Sequence, residues 1–507
     1  MNKRNNIISY LFVLATLLAI IIPASVAKAE PAGSLTIKKF AAAHYENLKT
    51  ATGADSDQQN IPDDAMSLAD ITFSLEKLVV SDKDTTVTKS NPRDTSFTPR
   101  NQKTDSVGET IFTALPEGFY LVTEEPKNGY AAFADGQFII QIPMTITDAK
   151  GNESTNYDVV FYPKNQRLQM VKVVASEKKV VGVDDIVTWR VDYPVGIDLK
   201  MEETISGVTT THYGRNFYIT DEMDERLDYL EGSAILRYLD AKGEVVPGFK
   251  LNEGIDYQMN YDKTTHILRI DFTDDVGTKK IADAKIVTIE LTLSTIVNAK
   301  AIDNTTPIWN NARLSYENHS GDPHELLIFP PETDITDWRV PKVYVGELEV
   351  LKVDATNRTI ALAGARFAVA ATLADAQQEI FLKRTIDEYG NQEEIQIETD
   401  EYGQAKITAI GAGSYYLVET KAPAGYLKIT TPIQVTISNE ESQRIARIEI
   451  TNTKQGDKPP KQPDPSPKLS TPNQVRTGDY TNLVGWLLLG IASLGISFKL
   501  IRGYKKH

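Results

Sequence analysis

The 507-residue sequence contains no cysteine. That excludes disulfides, thiolate metal sites and a cysteine nucleophile together, so any covalent staple has to use other side chains. Cations are also short: 54 Lys and Arg stand against 69 Asp and Glu, a formal net charge of −15. Neutralising phosphates takes a surplus of Lys and Arg gathered in a patch, which argues against a nucleic-acid partner. The acidic excess instead suits solubility at a surface. Histidine is scarce, and His44, His212, His266, His319 and His324 are scattered without metal-ligand spacing. There is no Gly-x-Ser-x-Gly elbow and no phosphate loop. Acidic pairs such as Glu124-Glu125 read as solvated strand ends rather than glycosidase acids. The expectation is a protein that is not an enzyme and has no metal and no cofactor.

What is present begins at the two ends. Lys3 and Arg4 precede an apolar run from Ile7 to Ile22, then Pro23 and Ala27-Lys28-Ala29, the pattern of a secretory signal cleaved after Ala29. Near the other end, Gln474-Val475-Arg476-Thr477-Gly478 is followed by an apolar stretch from Leu483 to Phe498. Lys499, Arg502, Lys505 and Lys506 come next. Such a stretch can span a bilayer, and the basic tail stays on the cytoplasmic side.

Between the ends, apolar and polar residues alternate with period two. Val187, Trp189, Val191 and Tyr193 alternate with Thr188, Arg190 and Asp192, and Val287 to Leu293 follows the same rule. This is the signature of half-buried strands. Helical periodicity is scarce, with Asp63 to Ala69 as a short helix candidate. An internal repeat relates Leu35-Thr36-Ile37-Lys38-Lys39 to Leu348-Glu349-Val350-Leu351-Lys352, and Gly118 to Glu124 to Gly413 to Glu419. Each second segment leads to a Gly-Tyr pair, at 129–130 and 425–426.

The expected fold is therefore all-β: three tandem immunoglobulin-like sandwiches in an elongated rod. Residues 1–29 form the signal, 30–166 the first domain, 167–340 the middle one and 341–454 the last. Residues 455–473, with Pro459, Pro460, Pro463, Pro465 and Pro467, make an extended spacer. Residues 474–507 make the terminal signal with its membrane segment.

This order of segments resembles that of sortase substrates. The last domain, with Leu351-Lys352-Val353-Asp354, Ala363 to Phe367 and Tyr416 to Pro423, is similar to Cna B-type domains. The middle domain resembles that of three-domain fimbrial subunits. Gln474 and Val475 replace the Leu and Pro of the usual Leu-Pro-x-Thr-Gly, while Thr477-Gly478 keeps the scissile pair. Tyr157 to Asn165, containing Tyr162-Pro163-Lys164, resembles the pilin motif of major pilins. The resemblance implies a backbone subunit of a covalent pilus, polymerised by a class C sortase that joins Thr477 of one copy to Lys164 of the next. A housekeeping sortase, minor pilins, peptidoglycan and host surface ligands are the other implied partners, at a secreted, wall-anchored location. A wall-anchored adhesin or minor pilin is the alternative, and it would need no acceptor amine. Such an amine is expected to be exposed at a domain end, since only an accessible neutral lysine is a nucleophile.

The resemblance also implies Lys-Asn isopeptide bonds beside an acidic residue, all three side chains facing the core. Strand parity is consistent: Lys352, Glu419 and Asn452 each continue the apolar face of their strand. In the middle domain the set is Lys172, Asp221 and Asn310, where Asn310 rather than Asn311 shares parity with Ala312, Leu314 and Tyr316, and Asp224 is the alternative acid. For the first domain the repeat supplies Lys39 and Glu124, and parity allows Asn165.

Overall fold

The computed structural model describes residues 32–43, 61–81, 86–132, 136–147, 152–205, 207–328 and 341–456. The described residues through Gln455 belong to one compact unit. The described chain is a succession of β-sandwiches, as the period-two patterns required. In the strand Ile186–Pro194, Val187, Trp189, Val191 and Tyr193 are fully buried while the residues between them are not. Burial of that alternate set is what drives the sheet to cover one face.

Three hydrophobic clusters mark the cores. The first is built on Leu35, Phe73, Phe112, Tyr120 and Phe161. The central cluster is built on Trp189, Phe217, Leu291 and Tyr316, and the last on Leu348, Phe367, Leu417 and Ile450. Ala131, from the first segment, packs into the central cluster together with Leu168, just past its end.

The internal repeat is a repeat of topology. In the first sandwich, Gly33–Lys38 lies between Asp158–Phe161 and Glu109–Leu115; in the last, Glu347–Asp354 lies between Ile445–Asn452 and Gln404–Thr408. In both, one flanking strand is parallel and the other antiparallel. The opposing sheets correspond too: Arg100–Lys103, Thr72–Leu78, Gly118–Glu124 and Gln137–Ile142 match Gln396–Glu398, Arg366–Ala370, Gly413–Lys421 and Ile433–Ile437. The Gly-Tyr pairs sit at equivalent turns, with Gly129 at φ +82° and Gly425 at φ +84°, where a side chain would be strained.

The middle sandwich packs a sheet containing Val171–Val174, Ile186–Pro194 and Thr288–Val297 against one containing Arg215–Met223 and Ile308–Glu317.

The short helix expected over Asp63 to Ala69 is not formed. Asp63 and Asp64 make a turn, and Met66–Ser67 pairs as a strand with Phe40–Ala42. Leu68 N–H then donates to the Lys39 carbonyl. Non-local pairing overrides the local preference of a short segment. The signal segment with Ala29, the spacer, Thr477, Gly478 and the terminal apolar stretch lie outside the described residues. Among the described residues no helix is long and apolar enough to cross a membrane.

Candidate functional site

Each sandwich buries one lysine, one carboxylate and one asparagine against each other. In the last, Lys352 sits on the strand Glu347–Asp354, two positions after Val350, and neighbours Asn452 of the parallel strand Ile445–Asn452. The lysine is fully buried and its Nζ donates to Asn452 Oδ1. Glu419 reaches across from the opposing sheet. Its two oxygens accept from Asn452 Nδ2 at 3.0 and 3.1 Å, and its Oε1 lies 3.6 Å from Lys352 Nζ. Burial lowers the lysine to about 8, and the nearby Glu419 charge only partly opposes that shift.

The first sandwich repeats the arrangement. Lys39, between the strands Gly33–Lys38 and Phe40–Ala42, is fully buried. Its Nζ donates to Glu124 Oε2 and to Asn165 Oδ1, both at 2.6 Å, and Asn165 Nδ2 donates to Glu124 Oε1 at 2.6 Å. Burial again pulls the amine pKa down, with Lys164 adding to the effect and Glu124 opposing it.

The middle set is built differently. Lys172 comes from one sheet, Asp221 and Asn310 from adjacent strands of the other. Lys172 Nζ donates to Asp221 Oδ2 at 2.5 Å and to the Asn311 carbonyl at 2.6 Å. Desolvation lowers the lysine and raises Asp221, although each partner's charge opposes the other's shift. Asn310 is fully buried, approaches Asp221, and makes no hydrogen bond of normal geometry with either side-chain atom. Buried amides are almost always satisfied, so a carboxamide held near a carboxyl without bonds is an exception that asks for a chemical role. Asn311 faces the other way, half-exposed, as parity requires. Asp224, the alternative acid, is instead clasped by Arg226 through two 2.7 Å bonds.

Chemically, each site offers an amine that burial drives towards its neutral, nucleophilic form. It also offers a carboxyl that can carry protons, and in the two outer sandwiches the amide carbonyl is within hydrogen-bond reach of the amine. Attack of Nζ on the asparagine Cγ would form a new C–N bond, break the old one and release ammonia.

Sequence reading missed the support of these lysines. In both outer sandwiches an Asp-x-x-Gly turn backs the lysine: Gly108 O accepts from Lys39 N–H, and Gly403 O from Lys352 N–H. Asp105 and Asp400 cap the turns with matching bonds. The shared Asp-x-x-Gly spelling at 105–108 and 400–403 was the available signal.

Lys164 departs from expectation. It was expected to be exposed and is only 3 % exposed, with Nζ donating to the Tyr162 carbonyl at 3.2 Å. It begins the strand Lys164–Arg167, flanked by Phe40–Ala42 and Tyr130–Ala132, so both edges of its backbone are paired.

Of the histidines, His44 lies outside the described residues. Among the described residues no group of acidic and histidine side chains is placed to hold a metal.

Residues 346–454 match the SpaA family of prealbumin-like fold domains. Over 344 residues, 64 % of this chain, the sequence is 24 % identical to a fimbrial subunit type 2 of Actinomyces naeslundii. The match spans 60 % of that relative's length. Among solved structures, the full-length major pilin SpaD of Corynebacterium diphtheriae is 24 % identical, covers 84 % of this chain and 98 % of its own, and superposes with a TM-score of 0.50. The major pilin SpaA of the same organism is 16 % identical over 83 % of this chain and 100 % of its own, with a TM-score of 0.44. The chain thus shares the all-β fold of the full-length major pilin SpaD.

Proposed function

We propose that the protein is the structural backbone subunit of a covalent surface pilus. A class C sortase cleaves between Thr477 and Gly478, holds the Thr477 acyl group, and passes it to Lys164 Nζ of the next copy. An amide forms as the enzyme's nucleophile leaves. A housekeeping sortase then fixes the finished fibre to peptidoglycan, and minor pilins join the same chemistry. The domain limits are those of the sequence reading, 30–166, 167–340 and 341–454.

Within each subunit, Lys39-Asn165, Lys172-Asn310 and Lys352-Asn452 become isopeptide bonds, helped by Glu124, Asp221 and Glu419. The observation that carries this reading is the threefold burial of a lysine against an asparagine and a carboxyl. Burying a charged amine is unfavourable by several kcal/mol even when paired, and three such sets without a chemical outcome would be a poor bargain for stability. In a cysteine-free chain they supply the covalent ties that a fibre under tension needs.

The test is Lys164→Arg in the pilus-forming cell. Ladders of polymer on denaturing gels disappear while monomer export continues, and peptide mapping of wild-type polymer yields a Thr477-Lys164 branched peptide. Ladders that persist in the variant, or wall extracts holding single copies only, overturn the assignment.

A further inference from the structure

Lys164 is buried, yet as an acceptor it has to meet an acyl-enzyme, and strand pairing identifies the side of the sheet on which it lies. On Lys164–Arg167, Asn165 stands opposite Ala41 and Ala132, while Gln166 stands opposite Ala42 and Ala131. Ala41 packs into the first core, but Ala131 and Leu168 pack into the central one. Residues two apart share a face of a strand. Lys164, with Gln166, therefore lies on the side turned to the middle sandwich.

Two side-chain amides bridge the sandwiches on that side. Gln166, 2 % exposed, donates through Nε2 to Val195 O at 3.1 Å and accepts from Ile197 N–H at 2.7 Å. Asn128 donates to Glu325 O at 2.7 Å and accepts from Glu325 N–H at 2.9 Å. Each amide imitates a strand neighbour, making both bonds that a backbone peptide would make.

The receiving backbone is braced from within. Asp198, next to Ile197, accepts from His324 Nε2 at 2.8 Å and from Tyr316 Oη at 2.9 Å, and His324 adjoins Glu325. Gly196 has no room for a Cβ, which would overlap the Tyr316 hydroxyl. The middle sandwich thus presents a rigid socket, while the first grips it through two side chains. Leu168 to Met170, an irregular segment, is the chain that joins them.

We infer that the junction of the first and middle sandwiches is a gate over Lys164, held shut by Gln166 and Asn128, and that the amine becomes accessible when these two amides let go. The inference gives Gln166 and Asn128 a part in acceptor presentation and so rests on the reading of Lys164 as acceptor; the gate itself is measurable without polymerisation. Each amide contributes two bonds of modest net worth, so losing one amide should raise the open fraction about tenfold.

The experiment acetylates the intact protein with an N-hydroxysuccinimide ester and follows each lysine by peptide mass mapping. Lys263, whose side chain is 80 % exposed, is the internal reference. In the wild type Lys164 is modified far more slowly than Lys263. Gln166→Ala and Asn128→Ala each raise the Lys164 rate about tenfold against that reference, while hydrogen exchange of the strand Gly33–Lys38 stays protected. Should Gln166→Ala fail to fold, Asn128→Ala, at the surface, carries the test alone. Rapid labelling of Lys164 in the wild type, an unchanged rate in the variants, or an increase matched by lost protection of Gly33–Lys38 overturns the gate. Loss of the gate with Lys164→Arg still abolishing ladders would leave the acceptor role standing, whereas a working gate with persistent ladders would remove that role alone.

Discussion

Replacing Glu419 by alanine tests the chemistry of the last sandwich directly. Glu419 is the carboxylate that holds Asn452 Nδ2 and faces Lys352. Without it the proton transfers that let ammonia leave have no carrier, so the variant should retain the mass of one ammonia that the wild type lacks. The bond would close a loop of 100 residues. By the chain-entropy relation for a cross-link, such a loop restricts the unfolded state by about 4.7 kcal/mol. In a domain of this size each kcal/mol moves the midpoint by about 4 °C, so the last transition in calorimetry of the intact protein should fall by about 20 °C. Asn452→Ala should lose the same bond by removing the acceptor. Combining the two should therefore cost much less than the sum, because one covalent tie cannot be removed twice. An intact mass for Glu419→Ala that still falls one ammonia short of its own sequence mass, for this bond as in the wild type, would refute the proton-carrier role. A wild type retaining all its ammonia would refute the bond.

The remaining predictions concern the same lysine and its backing turn. In Asn452→Ala the free amine keeps a pKa lowered by burial, about 8 in the parent fold against 10.5 unfolded. Between those values the unfolded chain binds more protons, so stability is flat below pH 8 and rises towards pH 10.5 by about 3 kcal/mol. Urea melts of the variant at pH 7.5 and pH 9.5 should show the rise, and the wild type, whose amide does not titrate, should lack this component. Gly403→Ala places a Cβ against the Lys352 carbonyl at φ +69° and should destabilise the last sandwich by about 1–3 kcal/mol. Gly425→Ala, at φ +84° with open space around it, should lose only about 1 kcal/mol. Equal losses at the two glycines would show that backbone angle, not the close approach to Lys352, sets the requirement.

Much of the candidate chemistry was legible because a strand reports its faces. Asn310 could be told from Asn311 by parity alone, and the same rule put Lys352, Glu419 and Asn452 on one core. The first-domain set was less legible, since Asn165 adjoins Lys164 and nothing linear says that Lys39, Glu124 and Asn165 meet. The parallel pairing of Phe40–Ala42 with Lys164–Arg167 brings them together. The supposed helix at Asp63 to Ala69 misled because its partner, the Lys39 region, is chosen in three dimensions.

Period-two alternation, the absence of cysteine and the doubled Lys and Glu motifs were enough to determine an all-β chain with related outer sandwiches, because strand burial is a local rule that repeats every second residue. The tertiary structure alone decided that Lys164 is covered, that Gln166 and Asn128 hold two sandwiches together, and that Asn310 is buried near Asp221 without a bond. These are facts about which surfaces meet, and contact between segments far apart in sequence is settled by packing, to which no local pattern is sensitive.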